Sequence, residues 1–281
     1  MNLYDLLMNA KIIDVHVHDE PTKSDINLQF PKPFIPDIVC HPGHIVRCSK
    51  VDSKRYVFVC SVCGKTTYDG EDPYYIYNKE LIEKNSKDLI CPLLIISPEI
   101  DKEIEKYENE FSEKIFGYKI HPNFSEFLVS EMTISTRKPI IVHCEVGQYD
   151  NVNVILDFAE RHDGPIIIAH MGRFSKSGFD RARNMKNVYF DCSSIGLIWD
   201  SYNKDSYHLC DTSYLGAFDS PDRLLSLSMQ YVGEDKVLFG SDEPYGCWDR
   251  DVMIVERLNN RLKDRLLSGN FKKMMKEYGY V

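Results

Sequence analysis

The chain has 281 residues, of which 43% are hydrophobic and 27% are charged, and its formal net charge is −9. This composition is typical of a globular α/β protein, and a barrel of eight strand–helix units typically needs about 250 residues. The acidic balance, without a long Lys/Arg cluster, argues against a nucleic-acid-binding protein. We therefore interpret residues 1–281 as one domain.

Short runs rich in Val, Ile and Leu alternate along the chain with longer segments that have helical periodicity. Nearly continuous apolar runs are typical of parallel strands that are buried on both faces. The predicted strands are residues 11–16, 55–60, 89–96, 114–120, 139–143, 165–169, 187–191 and 236–240. Eight strands alternating with helices predict an α/β fold, and the count of eight favours a single (β/α)₈ TIM barrel over an open doubly wound sheet.

The predicted helices are residues 78–85, 101–112, 151–161, 221–231 and 252–267. The segment Ser268-Gly269-Asn270 predicts a helix end before a last short helix at residues 271–278. Residues 21–52 contain five prolines and a poor helical pattern. We predict a long loop there, after the first strand, and the loop is compatible with a local distortion of the barrel.

Polar side chains stand at the ends of several apolar runs, where the active site of such a barrel lies. The first run ends in His16-Val17-His18, and alternation along a strand places both imidazoles on one side. Later runs end in Lys119 and His121, His143, His170 and Asp242. A single such histidine is more often structural, but several at one rim indicate a shared site, because buried polar groups need partners. Imidazole and carboxylate ligands suit zinc and similar divalent ions.

These run ends also match a known family pattern. The motifs are Ile13-Asp14-Val15-His16-Val17-His18, Gly117-Tyr118-Lys119-Ile120-His121-Pro122, Pro139-Ile140-Ile141-Val142-His143-Cys144, Ala169-His170-Met171-Gly172, Val188-Tyr189-Phe190-Asp191-Cys192-Ser193 and Leu238-Phe239-Gly240-Ser241-Asp242-Glu243-Pro244. In this order they resemble the amidohydrolase superfamily, and most of all its amidohydrolase-related branch of metal-dependent hydrolases and decarboxylases. The resemblance extends from Ile12 to about Tyr278.

The resemblance implies roles for the residues at the run ends. It implies that the metal ligands are His16, His18, His143 and Asp242, with Asp242 also moving a proton. His170 would orient and polarise the substrate or help to hold a second metal. Lys119, with His121 on the same face, would bind an anionic substrate group or, as a carboxylated lysine, bridge two metals. We expect a divalent metal, zinc, with one ion favoured over two.

The function that the resemblance implies is hydrolysis of an amide, ester or lactone bond in a small metabolite through metal-activated water. The alternative is non-oxidative decarboxylation of an aromatic or enol acid on the same site. A metal-dependent nuclease is disfavoured by the acidic charge. A binding protein without activity is disfavoured by the complete set of ligands.

Two features depart from this pattern or stand outside it. Glu145 occupies a position where many relatives have glycine, and alternation places it on the same side as His143, so that it could enter the site. The alternative is a loop acid in solvent. Cys60-x-x-Cys63 could mark a second zinc site. Its further ligands would come from Cys40, His41, His44 and Cys48. Their spacing fits no common zinc module, so we favour free cysteines.

The nine cysteines are scattered and odd in number, which is unlike a secreted disulfide framework. The start of the chain lacks the pattern of a signal peptide, and no apolar run approaches the length of a membrane span. We therefore expect a cytoplasmic enzyme with a small-molecule substrate and neither nucleic acid nor membrane as a partner. A homo-oligomer remains compatible with the sequence.

Overall fold

The computed structural model describes residues 8–18, 55–60, 78, 81–82, 90–96, 100–111, 115–203, 211–243 and 245–280. The predicted loop at residues 21–52 lies outside the described residues, and so does most of the predicted helix at residues 78–85. The side chains of the suggested second zinc site lie outside them as well. No helix in the described part of the chain is both long enough and apolar enough to cross a membrane.

All eight predicted strands are present, with some ends shifted by a few residues. They are β1 (Ile12–His18), β2 (Arg55–Cys60), β3 (Ile90–Ile95), β4 (Gly117–Ile120), β5 (Ile140–Val142), β6 (Ile166–Ile168), β7 (Val188–Asp191) and β8 (Val237–Leu238). They form one sheet in chain order, and every neighbouring pair is parallel. The carboxyl ends of all eight strands therefore meet at one rim.

Backbone hydrogen bonds also join the first strand to the chain at the end of the eighth. The Val15 amide donates to the Phe239 carbonyl at 2.9 Å, and the Asp242 amide donates to the His16 carbonyl at 2.7 Å. These bonds bring the two ends of the strand order together. The predicted (β/α)₈ barrel is thus confirmed.

The helices between the strands cover the outside of the barrel, and the last helix packs against its interior residues. The helices are α1 (Ile100–Phe111), α2 (Pro122–Ser125), α3 (Val152–Ala159), α4 (Lys176–Ala182), α5 (Ile195–Asn203), α6 (Pro221–Val232), α7 (Trp248–Glu256), α8 (Asn260–Asp264) and α9 (Asn270–Glu277). Local sequence explains several starts. The Asn151 side chain accepts hydrogen bonds from two amides of α3, the Ser175 hydroxyl accepts one from α4, and Pro221 opens α6.

The last part of the chain differs from the prediction in two ways. The single helix predicted at residues 252–267 is wrong, because α7 ends at Glu256 and the Asn259 side chain caps the separate helix α8. The predicted helix end at Ser268-Gly269-Asn270 is also wrong. Gly269 has a helical φ of −61°, and a π-helical turn over Arg265–Gly269 runs directly into α9. Gly269 therefore lacks the left-handed conformation in which glycine usually ends a helix.

The apolar core has two layers, one inside the barrel and one between the sheet and the helices. Inside the barrel, Ile13, Leu93, Ile141 and Leu238 pack together with Phe271 of α9. The larger outer layer holds the opposite faces of the strands and the inner faces of the helices. Side chains alternate between the two faces of each strand, so one set of strand residues points towards the barrel axis.

Gly117 is required by close packing between strands β4 and β5. A Cβ atom at this position would lie 2.2 Å from the Pro139 carbonyl oxygen and 2.8 Å from Leu93 Cδ2. We expect Gly117→Ala to lower the free energy of unfolding by about 2–3 kcal/mol, as overpacked core substitutions do. Gly279→Ala is the control, because its Cβ meets no atom of the described residues within 4 Å and its φ of 72° is the unfavourable feature. It should cost about 1 kcal/mol, and a larger loss there than at Gly117 in denaturant titrations would contradict this expectation.

Candidate metal centre

The two histidines at the end of β1 owe their direction to a bulge. The pairing between β1 and β2 shifts register between Asp14 and Val17, and such a bulge re-aims the side chains that follow it. Val15 packs inside the barrel, whereas Val17 packs in the outer layer. His16 and His18 flank Val17, and both are buried at the rim.

Asp242 reaches the same place from the chain that follows β8. The backbone of Gly240 passes so close to β1 that a Cβ there would lie 2.9 Å from His16 Cβ. Asp242 itself has a left-handed φ of 61°, a conformation that aspartate tolerates better than most residues. The Ser194 hydroxyl donates to Asp242 Oδ2 at 3.0 Å and holds the carboxylate.

His16, His18 and Asp242 form a compact group of donor atoms. Asp242 Oδ1 lies 3.4 Å from His16 Nε2 and 3.1 Å from His18 Nε2. The ligand atoms of all three residues lie within 4.8 Å of one another. Two imidazole nitrogens and one carboxylate oxygen are ligands that zinc and similar ions prefer.

The charge states of this group also fit a cation. Burial lowers the pKa of His18 to about 4, although the hydrogen bond with Asp242 opposes the shift. Burial raises the pKa of Asp242, but His16 and His18 outweigh it and hold that pKa well below its usual value. At neutral pH the site thus offers a neutral imidazole from His18 and an ionised carboxylate, the forms that bind metal ions.

Asp191 fixes the orientation of the His16 ring. His16 Nδ1 lies 3.0 Å from Asp191 Oδ2, so Nδ1 carries the shared proton and Nε2 faces Asp242 as a lone-pair donor. Asp191 Oδ1 accepts from the amides of His170 at 3.1 Å and Ser193 at 3.0 Å. Burial raises the pKa of Asp191, but attraction to His16 prevails and lowers it. Carboxylate–histidine pairs of this kind support metal ligands in many proteins.

Lys119 lies in direct contact with this group. It is fully buried on β4, where it pairs in register with Ile141 of the barrel interior. Its Nζ is 2.8 Å from His16 Nε2. The structure therefore places the predicted bridging or substrate-binding lysine beside the donor atoms.

His143 belongs to a second group of rings beside the donor atoms. His143 Nδ1 lies 3.3 Å from His170 Nε2, and its ring stacks on His121 with a centroid separation of 3.8 Å. His170 Nδ1 in turn lies 2.9 Å from the Ser193 hydroxyl. Burial lowers the pKa values of these three histidines. The structure thus gathers the remaining predicted residues at the same rim, while ligation by His143 stays a prediction.

Asp150 follows the loop after β5 and gives a pH-dependent expectation. It is fully buried and contacts Asn123 through a hydrogen bond to its carboxylate. Burial, helped by repulsion from Glu145, raises the pKa of Asp150 from 3.8 to about 7. In the unfolded chain the carboxyl ionises near its usual pKa, so raising the pH above that value favours unfolding until the folded pKa is passed.

We therefore expect Asp150→Asn to change the pH dependence of stability. Between about pH 5 and about pH 7 the wild-type protein should lose about 2 kcal/mol of unfolding free energy relative to the variant, since one pKa unit corresponds to about 1.4 kcal/mol. Urea titrations of both proteins across this range measure the difference. Parallel pH profiles for the two proteins would contradict the raised pKa.

Comparison with solved structures finds proteins with this fold along nearly the whole chain. The 5-carboxyvanillate decarboxylase from Sphingomonas paucimobilis has a TM-score of 0.60 at 11% identity, and the match covers 95% of this chain and 99% of that one. A putative 2-pyrone-4,6-dicarboxylic acid hydrolase from Pseudomonas putida has a TM-score of 0.60 at 12% identity, with coverages of 96% and 98%.

A third similar structure is a dihydroxybenzoic acid decarboxylase from Polaromonas sp. JS666 with bound manganese and the inhibitor 2-nitroresorcinol. It matches with a TM-score of 0.56 at 14% identity and covers 97% of this chain and 100% of that one. No protein-family model and no curated protein matches the chain. The chain therefore shares the α/β barrel fold of these hydrolases and decarboxylases.

Proposed function

We propose that the protein is a metal-dependent hydrolase that cleaves a C–N or C–O bond, in an amide, ester or lactone, of a small metabolite. The observation that carries this proposal is the buried group of His16, His18 and Asp242 at the carboxyl rim of the barrel. The buried carboxylate behind His16 supports the same reading. The similar solved structures include a putative hydrolase of a pyrone dicarboxylic acid, which supports it further.

His16, His18 and Asp242 would hold one divalent ion, and zinc is the ion we propose. His143 would complete this set only after its ring turned away from His170. A bound ion of this kind supplies Lewis acidity, which polarises a carbonyl and lowers the pKa of water towards about 7. Manganese in a similar structure supports a divalent metal without favouring zinc.

The chain's own groups would then handle protons and substrate charge. Asp242 is ionised, and its carboxylate can accept a proton from water at the rim and return it to the leaving group. The His170 ring is held by Ser193 through Nδ1 and can orient a substrate group beside the donor atoms. Lys119 Nζ lies beside the donor atoms and can bind an anionic substrate group.

The second candidate is non-oxidative decarboxylation of an aromatic or enol acid on the same site. The observation that favours it is the presence of decarboxylases among the similar structures, including the two described above. Both candidates predict loss of activity without metal, so metal removal does not separate them. Incorporation of ¹⁸O from water into the product identifies hydrolysis, and release of carbon dioxide without ¹⁸O incorporation identifies decarboxylation.

The test begins with elemental analysis of the purified protein and continues with a panel of amides, esters, lactones and aromatic carboxylic acids. We expect about one ion per chain and turnover of at least one class, both lost in His16→Ala protein that still folds. No turnover by fully loaded protein would favour a binding protein instead. We further propose a cytoplasmic location, a small-molecule substrate and no nucleic-acid or membrane partner, and we leave a homo-oligomer open.

A further inference from the structure

A turn of left-handed backbone follows β6 and begins with His170. The five consecutive residues from His170 to Phe174 have φ between 52° and 58°, and only Gly172 among them is a glycine. Left-handed backbone is disfavoured for every other residue type and usually occurs at single positions. All five residues are buried, and the Tyr214 hydroxyl donates to the Phe174 carbonyl at 2.9 Å. Strain of this kind persists where the surroundings enforce it, often at functional sites.

The turn directs the Arg173 side chain back towards the end of β5. Its Nε donates to the Cys144 carbonyl at 3.1 Å, and its Nη2 donates to Glu145 Oε1. The Arg173 side chain is 5% exposed and that of Glu145 is 24% exposed. The two residues therefore form an ion pair that is largely shielded from solvent.

The same carboxylate faces His143. Glu145 Oε1 lies 3.7 Å from His143 Nε2, at the opposite side of the ring from the nitrogen that contacts His170. One face of the His143 ring is covered by His121, and His170 meets the ring at an interplanar angle of 78°. The ring is thus held by a stacked neighbour, a hydrogen bond and a charge, each from a different direction.

We propose that Arg173 and Glu145 are positioning residues for His143. Arg173 fixes the Glu145 carboxylate, and the carboxylate fixes the rotation of the His143 ring so that Nδ1 faces His170. This assigns Glu145 to the interior of the site. The inference rests on the proposed function for its purpose, because that function places His170, the ring that His143 contacts, beside the substrate.

The test is the NMR spectrum of protein labelled with ¹⁵N in its histidine rings, recorded on the protein as purified. A His143→Phe protein lacks the His143 signals and so assigns them. We expect Glu145→Gln and Arg173→Met to shift the ring signals of His143 and His170 and to leave those of His162 in place. Circular dichroism and thermal melts establish that each variant is folded.

Arg181→Met is the matched control, because Arg181 forms ion pairs with Asp157 and Glu160 on the outer helices. It should leave all ring signals unchanged. The double variant Glu145→Gln/Arg173→Met should shift the His143 signals as Glu145→Gln alone does, since Arg173 acts through the carboxylate.

Unchanged His143 signals in folded Glu145→Gln protein would overturn the inference, and so would equal shifts at every histidine. If Arg173→Met does not fold, Glu145→Gln alone decides. Zinc content, measured on the same samples, should equal that of the wild type because His16, His18 and Asp242 are untouched. A wild-type protein that binds no zinc would overturn the proposed function, whereas the positioning of His143 would still be judged by the ring signals.

Discussion

Replacement of Asp242 by asparagine should weaken zinc binding by more than about 100-fold, because loss of a residue behind a ligand already costs about 10–100-fold. The neutral amide is a poor ligand, and it removes the only carboxylate of the donor group. Turnover at saturating zinc should fall by about 10²–10⁴-fold, the usual contribution of a general acid–base group. The variant therefore loses an ion ligand and a proton acceptor together.

The zinc affinity of the Asp242→Asn protein is measured by competition with a chromophoric chelator, and turnover is measured on whichever substrate the panel identifies. Ser194→Ala is the matched control, because it removes the hydrogen bond to Asp242 Oδ2 and keeps both carboxylate oxygens. Its zinc affinity should fall by less than about 10-fold, which is a smaller loss than removal of a whole residue behind a ligand causes. Equal affinity in Asp242→Asn and wild-type protein would contradict the assignment of Asp242.

Asp191→Asn should weaken zinc binding by about 10–100-fold although Asp191 contributes no atom to the donor group. The asparagine can present its NH₂ group to His16 Nδ1, which then becomes an acceptor and moves the ring proton to Nε2, the nitrogen that faces Asp242. The ligand is thus present in the wrong tautomer. Chelator competition measures the loss, and the ¹⁵N ring signals of His16 report the tautomer.

The outcome that counts against this account is a wild-type zinc affinity with an unchanged His16 tautomer. A general loss of stability is separated from this effect by Gly117→Ala, which disturbs strand packing at the first residue of β4, the end of the strand away from the rim. That control should unfold more easily and still bind zinc with the affinity of the wild type. If the main role of Asp191 is to orient His16, the Asp191→Asn protein should keep the stability of the wild type and bind zinc more weakly.

The strands were predictable because each is a short apolar run that ends abruptly in a polar residue. Parallel strands buried on both faces leave this pattern in the sequence itself. The break between α7 and α8 was missed because residues 252–267 keep an apolar periodicity across it. The cap that separates the two helices is the single side chain of Asn259, and apolar periodicity does not detect a single capping residue. Gly269 predicted a helix end, but the residue lies within a helical turn that continues into α9.

The candidate site was predictable to the extent that its residues stand at strand ends. His16, His18 and Asp242 do so, and the structure brings them together. Asp191 also ends a strand, and that position was the signal that could have identified its role.

Arg173 gave no such signal. Its approach to Glu145 depends on left-handed backbone at residues whose side chains disfavour it, which only tertiary packing can impose. The contacts of the His143 ring with His121 and His170 likewise are not described by alternation along a strand.

The most direct test of the central claim is an anomalous difference map at the zinc edge from crystals of zinc-loaded protein. We expect one strong peak at about 2.0–2.2 Å from His16 Nε2, His18 Nε2 and an Asp242 carboxylate oxygen, the usual distances for these ligands. A map with no peak at this rim, or with a peak that touches none of the three residues, would contradict it.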